Sequence, residues 1–295
     1  MAKVGDLMFS NEKSSRNMLI LSMCIFGTIG ILRRYIPLPS SLIALVRGCI
    51  GSLFLLIAGL VRGQKPDLAA IGRNLPLLLL SGAAIGFNWI FLFEAYCYTT
   101  VATATLCYYL APTLVILLSP FVLKEKLTAR GAVCALVAVM GMVPVSGILE
   151  ADFSGLDELK GVMYGLAAAA LYASVILMNK KITGIRASDQ TMVQLLSASL
   201  VLLPYVLATE DLSRCSFPPV SVVLLLTAGI LHTGIAYRMY FGAMGALKAQ
   251  TAALFSYIDP ILAILLSALV LREPLGIPAV IGSVMILGSA IISER

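Results

Sequence analysis

The chain has 295 residues, of which 60% are hydrophobic and 12% charged, with a formal net charge of +6. Soluble globular domains run at about 45–50% apolar and roughly 25% charged, so the composition excludes a water-soluble fold. The cations, which in a soluble protein would suggest nucleic acid, sit in short clusters between apolar runs; they read as membrane-topology signals, and no nucleic-acid partner is expected.

A polar tail carrying Lys3, Lys13 and Arg16 precedes the first apolar run. That run, 18–36, is too long for a signal-peptide core and lacks an Ala-x-Ala cleavage site, which predicts that it stays as a first helix. Apolar runs punctuated by Gly, Pro and charge then predict helices at 40–62, 75–98, 101–123, 129–147, 160–183, 188–209, 218–242, 248–271 and 277–292. Ten crossings of about 20 residues use roughly 200 residues and leave short loops, so the expectation is an all-α membrane protein with ten transmembrane helices and the lipid bilayer as solvent. With the N-terminus inside, the inner segments hold fourteen Lys and Arg residues and the outer segments five, Arg47 and Arg238 being intramembrane. This bias predicts a multi-pass protein of the cell inner membrane with both termini cytoplasmic.

The second half of the chain repeats the first at an offset of 148 residues: Thr100 to Thr128 aligned with Lys248 to Gly276 gives 14 identities in 29 positions, among them Tyr109/Tyr257, Pro112/Pro260, Ser119/Ser267 and Glu125/Glu273. Two units follow, 1–150 and 151–295, each with five spans. An odd number of spans per unit makes equivalent helices cross in opposite directions, so the repeats are expected to be inverted. The loop charges agree, since Lys124-Glu125-Lys126 becomes Arg272-Glu273-Pro274 where the second copy should lie outside. Two similar halves of opposite orientation suit alternating access to one site, which points to a carrier.

Ionisable groups at membrane depth cost about 2.5–3.5 kcal/mol on insertion scales, so each one present calls for a partner, a wet cavity or a function. Asp259 precedes Pro260 in the ninth span, where proline frees a carbonyl and bends the helix; a packing kink with a capping aspartate is the structural alternative. His232, the only histidine, falls at a similar depth, and the two are candidates to pair or to carry a proton, although a lone membrane histidine is as often a structural hydrogen bonder. Arg47 and Glu94 lie at matching depth near the outer ends of their spans and could form a buried salt bridge or an outer gate, unless Glu94 merely reaches the interface. Asn88, Trp89, Tyr108, Tyr109, Tyr237 and Tyr257 supply amide and aromatic walls that suit a small organic solute, so these ten residues are the substrate-binding candidates. Tyr96 and Tyr98 read as interfacial belt residues. Six scattered cysteines without a CxxC pair read as small buried hydrophobes, with no metal site. GxxxG at Gly82/Gly86 and Gly161/Gly165 predicts close helix contact within a monomer or homodimer. There is no P-loop, dinucleotide fingerprint, HExxH or GxSxG, so neither a cofactor nor enzymatic activity is expected.

The string from Asn88 to Leu127, with its second copy from Gly234 to Leu275, resembles the EamA-type repeat of the drug/metabolite transporter superfamily, through an aromatic-x-x-Pro element followed by Leu-x-Glu-x-Leu. The resemblance implies a ten-helix fold with cytoplasmic termini, a central cavity between the halves, and secondary transport of small metabolites, often amino-acid export. Proton coupling is compatible with it. An exporter of organic cations or drugs is the competing reading, and a membrane enzyme or sensor a third.

Overall fold

The computed structural model describes residues 12–99, 104, 107–146, 156–270 and 276–294, and among these all regular structure is helical. The helices are α1 (Glu12–Gly27), α2 (Ile29–Arg34), α3 (Ser40–Val61), α4 (Leu68–Tyr98), α5 (Ala111–Leu123), α6 (Ala129–Ser146), α7 (Leu156–Asn179) and α8 (Ala187–Thr209). After a 3-10 turn at Leu212–Arg214 come α9 (Pro219–Thr227), a π-helical stretch Ala228–Ile235, α10 (Ala236–Met244), α11 (Ala249–Phe255), α12 (Ile258–Val270) and α13 (Ile277–Glu294). Five described stretches are long and apolar enough to cross a bilayer: Ser40–Val61, Leu68–Tyr98, Leu159–Asn179, Ala187–Thr209 and Pro219–Met244. The shortest has 21 residues and at 1.5 Å per residue spans about 31 Å, the thickness of a hydrocarbon core. Ala111–Leu123 and Ala129–Pro144 are shorter apolar helices.

The elements follow the expected runs, with differences that have local causes. The first run breaks at Thr28, whose hydroxyl donates to Ile25 O at 2.7 Å and so competes with the helical ladder. The third starts at Leu68 rather than 75 because Asp67 Oδ1 caps it, accepting from Ala70 N–H at 2.9 Å. α3 ends where Gly63 turns left-handed, at φ 69°, with its N–H on Leu60 O, a conformation a side chain would oppose.

The chain divides into two compact units, 1–87 with 178–247 and 88–177 with 248–295, so that the divisions fall inside α4 and α7. In the first unit α3 packs on α8 with the chains running oppositely: Ser41 Oγ meets Glu210 at one end, a Cβ on Gly48 would stand 2.6 Å from Ser199 Oγ in the middle, and Ser52 Oγ donates to Met192 O at 3.0 Å further along. α4 lies along another face of α8, with Gly82 against Gln194 O and Gly86 against Ala198 O, as the GxxxG spacing requires for close backbone approach. On α8 itself Leu195, Ala198, Leu202 and Val206 are buried, while Leu196, Leu200, Leu203 and Leu207 are exposed at the same helical spacing. An exposed leucine stripe of this kind is unfavourable in water and matched by lipid tails.

In the second unit α6 packs on α13, with Gly141 against Gly282 O. α5 packs on α11, again with the chains opposed, since Glu125 reaches Ala249 N–H at 3.0 Å, Ser119 receives Gln250 Nε2 at 2.9 Å, and Thr113 lies 3.1 Å from the Tyr257 hydroxyl. α7 fits here through Gly161 against Thr99 and Gly165 against Cys107. α3 and α8, and likewise α5 and α12, are pairs that the 148-residue offset relates.

Candidate functional site

The two Tyr-x-x-Pro elements interrupt their helices. A proline has no N–H for the carbonyl four residues earlier and crowds it, so Pro112 and Pro260 loosen the chain around Tyr108–Tyr109 and Ser256–Tyr257. There the bonding tightens to three-residue steps, Leu110 N–H to Cys107 O at 3.2 Å and Tyr257 N–H to Leu254 O at 3.2 Å. The two breaks meet within the second unit: the Tyr257 hydroxyl donates to Tyr109 O at 3.1 Å, a bond between residues 148 apart. Thr113 Oγ1 stands 3.1 Å from the same hydroxyl. Tyr257 is buried, and Asp259 lies half-buried in the first turn of α12, one residue before Pro260.

Aromatic rings surround this region. Tyr108 stacks on Tyr172 with centroids 5.6 Å apart at 27° and meets Tyr109 edge-on at 5.6 Å. Further along α4 and α7, Tyr164 packs on Phe91 and stacks on Tyr98, over which Lys160 Nζ stands at 5.5 Å. Asn88 and Trp89 are buried; the Asn88 amide donates to Ala168 O at 2.6 Å and ties α4 to α7. Glu94 is half-buried on α4. The second unit thus gathers Asn88, Trp89, Glu94, Tyr108, Tyr109, Tyr257 and Asp259.

Arg47, His232 and Tyr237 belong to the first unit. His232 is buried in the π-helical stretch, with Nε2 2.7 Å from Thr28 Oγ1 and Nδ1 3.5 Å from Thr227 O. Its ring is therefore held inside its own unit, as a structural hydrogen bonder would be. Thr233 Oγ1 donates to Ala228 O at 2.8 Å, a five-residue step that fits the widened turn. Tyr237 packs edge-on against Phe26 at 4.9 Å, and Arg47 is half-buried on α3.

Sequence reasoning missed the amide network of the first unit. Gln194 Nε2 donates to Asn179 Oδ1 at 2.6 Å and to Ser81 Oγ, and the Asn74 amide donates to Thr183 O at 3.0 Å. It also missed Tyr164 and Tyr172. The signal was present, since Asn74, Asn179, Gln190 and Gln194 stand in or beside apolar runs as Asn88 does, but Asn88 was the one amide that drew weight, for the aromatic residues near it. Among the described residues no group of three or more His, Cys, Asp and Glu side chains is placed to hold a metal.

Apolar helices of spanning length, exposed leucines and polar groups turned inward are the features of a multi-pass membrane protein. The chain belongs to the EamA-like transporter family, whose sequence profile matches residues 17–147 and again 159–294. It is 31% identical over 262 residues to the uncharacterized transporter YxxF of Bacillus subtilis, covering 87% of this chain and 82% of that one. It is 28% identical to the protein PecM of Dickeya dadantii, covering 81% of this chain and 82% of the relative. A solved crystal structure superposes with a TM-score of 0.84 at 19% identity over 95% of this chain and 97% of the other, a likeness of fold.

Proposed function

We propose that this membrane transporter is a secondary active carrier that moves a small organic metabolite, an amino acid or related solute, outward by alternating access between two inverted five-helix repeats. The observation that carries the reading is the antiparallel packing of α3 on α8, helices related by the 148-residue offset, with the two proline breaks joined through Tyr257 and Tyr109. Equivalent elements that pack in opposite directions are what an inverted duplication requires, and discontinuous helices are where carriers of this kind place polar ligand groups. The ten-helix arrangement, the inner membrane as location and cytoplasmic termini belong to the same proposal, resting on the bias of Lys and Arg between loops.

Within the proposal the aromatic groups around Tyr108, Tyr109 and Tyr257 form the solute wall, and Asp259 is its charged group. Asp259 and His232 are the candidates to couple a proton. Arg47 and Glu94 are the candidate outer gate. The test is uptake and counterflow in proteoliposomes against a panel of amino acids, amines and nucleosides, with Arg47→Ala, Asp259→Asn and His232→Gln in parallel. The reading expects saturable counterflow of one class, abolished in Asp259→Asn. Proton-driven accumulation that survives intact in His232→Gln would leave the histidine a purely structural role, and absence of counterflow for every solute class would sink the carrier reading.

A further inference from the structure

Two turns of the first unit are fastened into one surface. Asn74 Nδ2 donates to Thr183 O at 3.0 Å and Thr183 N–H donates back to Asn74 Oδ1 at 3.4 Å, while Asp67 N–H donates to Asp189 Oδ2 at 3.2 Å and Arg186 donates to Lys65 O. The end of α3, the start of α4 and the start of α8 therefore share one end of the unit. Arg62, Lys65, Arg73 and Lys181 stand exposed there. The two carboxylates of the same turns are already engaged, Asp67 by Ala70 N–H and Asp189 by Arg186. Among the described residues no carboxylate forms an ion pair with any of the four exposed cations. An excess of loop cations is enough to orient a chain in the membrane, but orientation does not call for the loops to be tied together.

The cationic end continues into exposed apolar stripes. On α3, Leu53, Ile57 and Leu60 follow helical spacing toward Arg62; on α4, Pro76 and Leu80 lie three and seven residues beyond Arg73, on its own face. α8 carries a third stripe between them. α3 touches α8 at Met192 and Ser199, and α4 touches it at Ser197 and Val201. At 3.6 residues per turn, Leu196, Leu200 and Leu203 fall in the sector between these two contact lines, and all three are exposed. They make an apolar strip, bordered by α3 and α4, that runs away from the cationic turns. Leu196 lies nine residues beyond Ala187, the first of α8, which is about 14 Å along the axis and within the acyl chains of one leaflet.

We infer that this end of the first unit binds an anionic glycerophospholipid, with its headgroup on Arg62, Lys65 and Arg73 and an acyl chain along the leucine strip of α8. Basic side chains at a membrane surface attract anionic lipid, each by about five-fold in affinity, and the arginine fork matches phosphate oxygens. A soluble phosphate would leave the strip uncovered, and an apolar helix of another protein would leave the cations unmatched. A lipid of negative charge satisfies both parts. The inference goes beyond the transport reading, because lipid preference is measured at equilibrium and needs no movement of solute across the bilayer.

The test uses the full chain carrying Trp89→Phe and a reporter, Leu196→Trp, in bilayers of phosphatidylcholine and phosphatidylglycerol with matched chains. Quenching of the reporter by either lipid brominated in mid-chain gives the relative affinity of the two at the strip. Phosphatidylglycerol should be preferred by about five-fold or more. A reporter on α9, Val223→Trp, an exposed position away from the cationic turns, should show no preference. Arg62→Gln, Lys65→Gln and Arg73→Gln together should abolish the preference at the strip, whereas Arg62→Lys, Lys65→Arg and Arg73→Lys together should keep most of it. The comparison of the two reporters in the otherwise unaltered chain decides the matter if the neutralised variant fails to fold. Equal affinity of the two lipids at the strip, an equal preference at both reporters, or a preference that survives neutralisation overturns the assignment. Loss of the preference on adding glycerol 3-phosphate, when sodium chloride at equal ionic strength leaves it intact, would make a soluble phosphate the occupant and would equally overturn it.

Discussion

Tyr257 uses its hydroxyl twice, donating to Tyr109 O and lying within hydrogen-bond distance of Thr113 Oγ1, while its ring is buried. Tyr257→Phe keeps the ring and removes both bonds, which should lower stability by about 1–3 kcal/mol, because a buried carbonyl loses its partner. Denaturant unfolding in detergent micelles measures it, and an unchanged midpoint would mean that the bridge contributes nothing. Glu125 explains part of the Leu-x-Glu-x-Leu element: its Oε1 accepts from Ala249 N–H and caps the start of α11. Glu125→Ala should lose about 1 kcal/mol, as caps do, with Glu125→Gln losing less; equal effects would point to charge rather than capping. The second copy, Glu273, lies outside the described residues.

At the level of elements, glycine decides which helices approach. Gly86→Val should destabilise by about 1–3 kcal/mol, because its Cβ would stand 2.9 Å from Ala198 O and from Val201 Cβ, with no room to give. On the same helix Gly72 has nothing within 4 Å of an added Cβ, so Gly72→Ala should be neutral or stabilising by about 0.5–1 kcal/mol through helix propensity. Thermal unfolding of the pair separates packing from propensity, and similar losses in both would refute the contact argument. A second lock joins two turns: Asp189 Oδ2 accepts from Arg186 and from Asp67 N–H at 3.2 Å, while Arg186 also donates to Lys65 O. Asp189→Ala should cost about 1–3 kcal/mol, since the carboxylate is well buried and its partners would be left unmatched. Faster protease cleavage in the turns near Lys65 and Arg186 would report the same loss, and an unchanged cleavage rate would count against the lock.

For the whole molecule, the proposed inverted topology predicts that single cysteines placed at Lys124 and at Arg272, in a background lacking the native cysteines, react with a membrane-impermeant maleimide from opposite sides. Labelling of both from one side would remove the basis for alternating access. The all-helical membrane class, the long spans and the family were readable from the chain alone, because hydropathy and proline placement are local properties that lipid and backbone enforce segment by segment. The Tyr-x-x-Pro breaks were readable for the same reason, since proline removes its hydrogen bond whatever surrounds it. Polar partners were not. Depth along a helix suggested Asp259 for His232, yet the histidine contacts Thr28, 204 residues away, and Asn88 spends its amide on Ala168 O. A side chain's partner is set by helix rotation and by which neighbour comes close. These follow from packing between segments distant in sequence, so only the tertiary structure decided them.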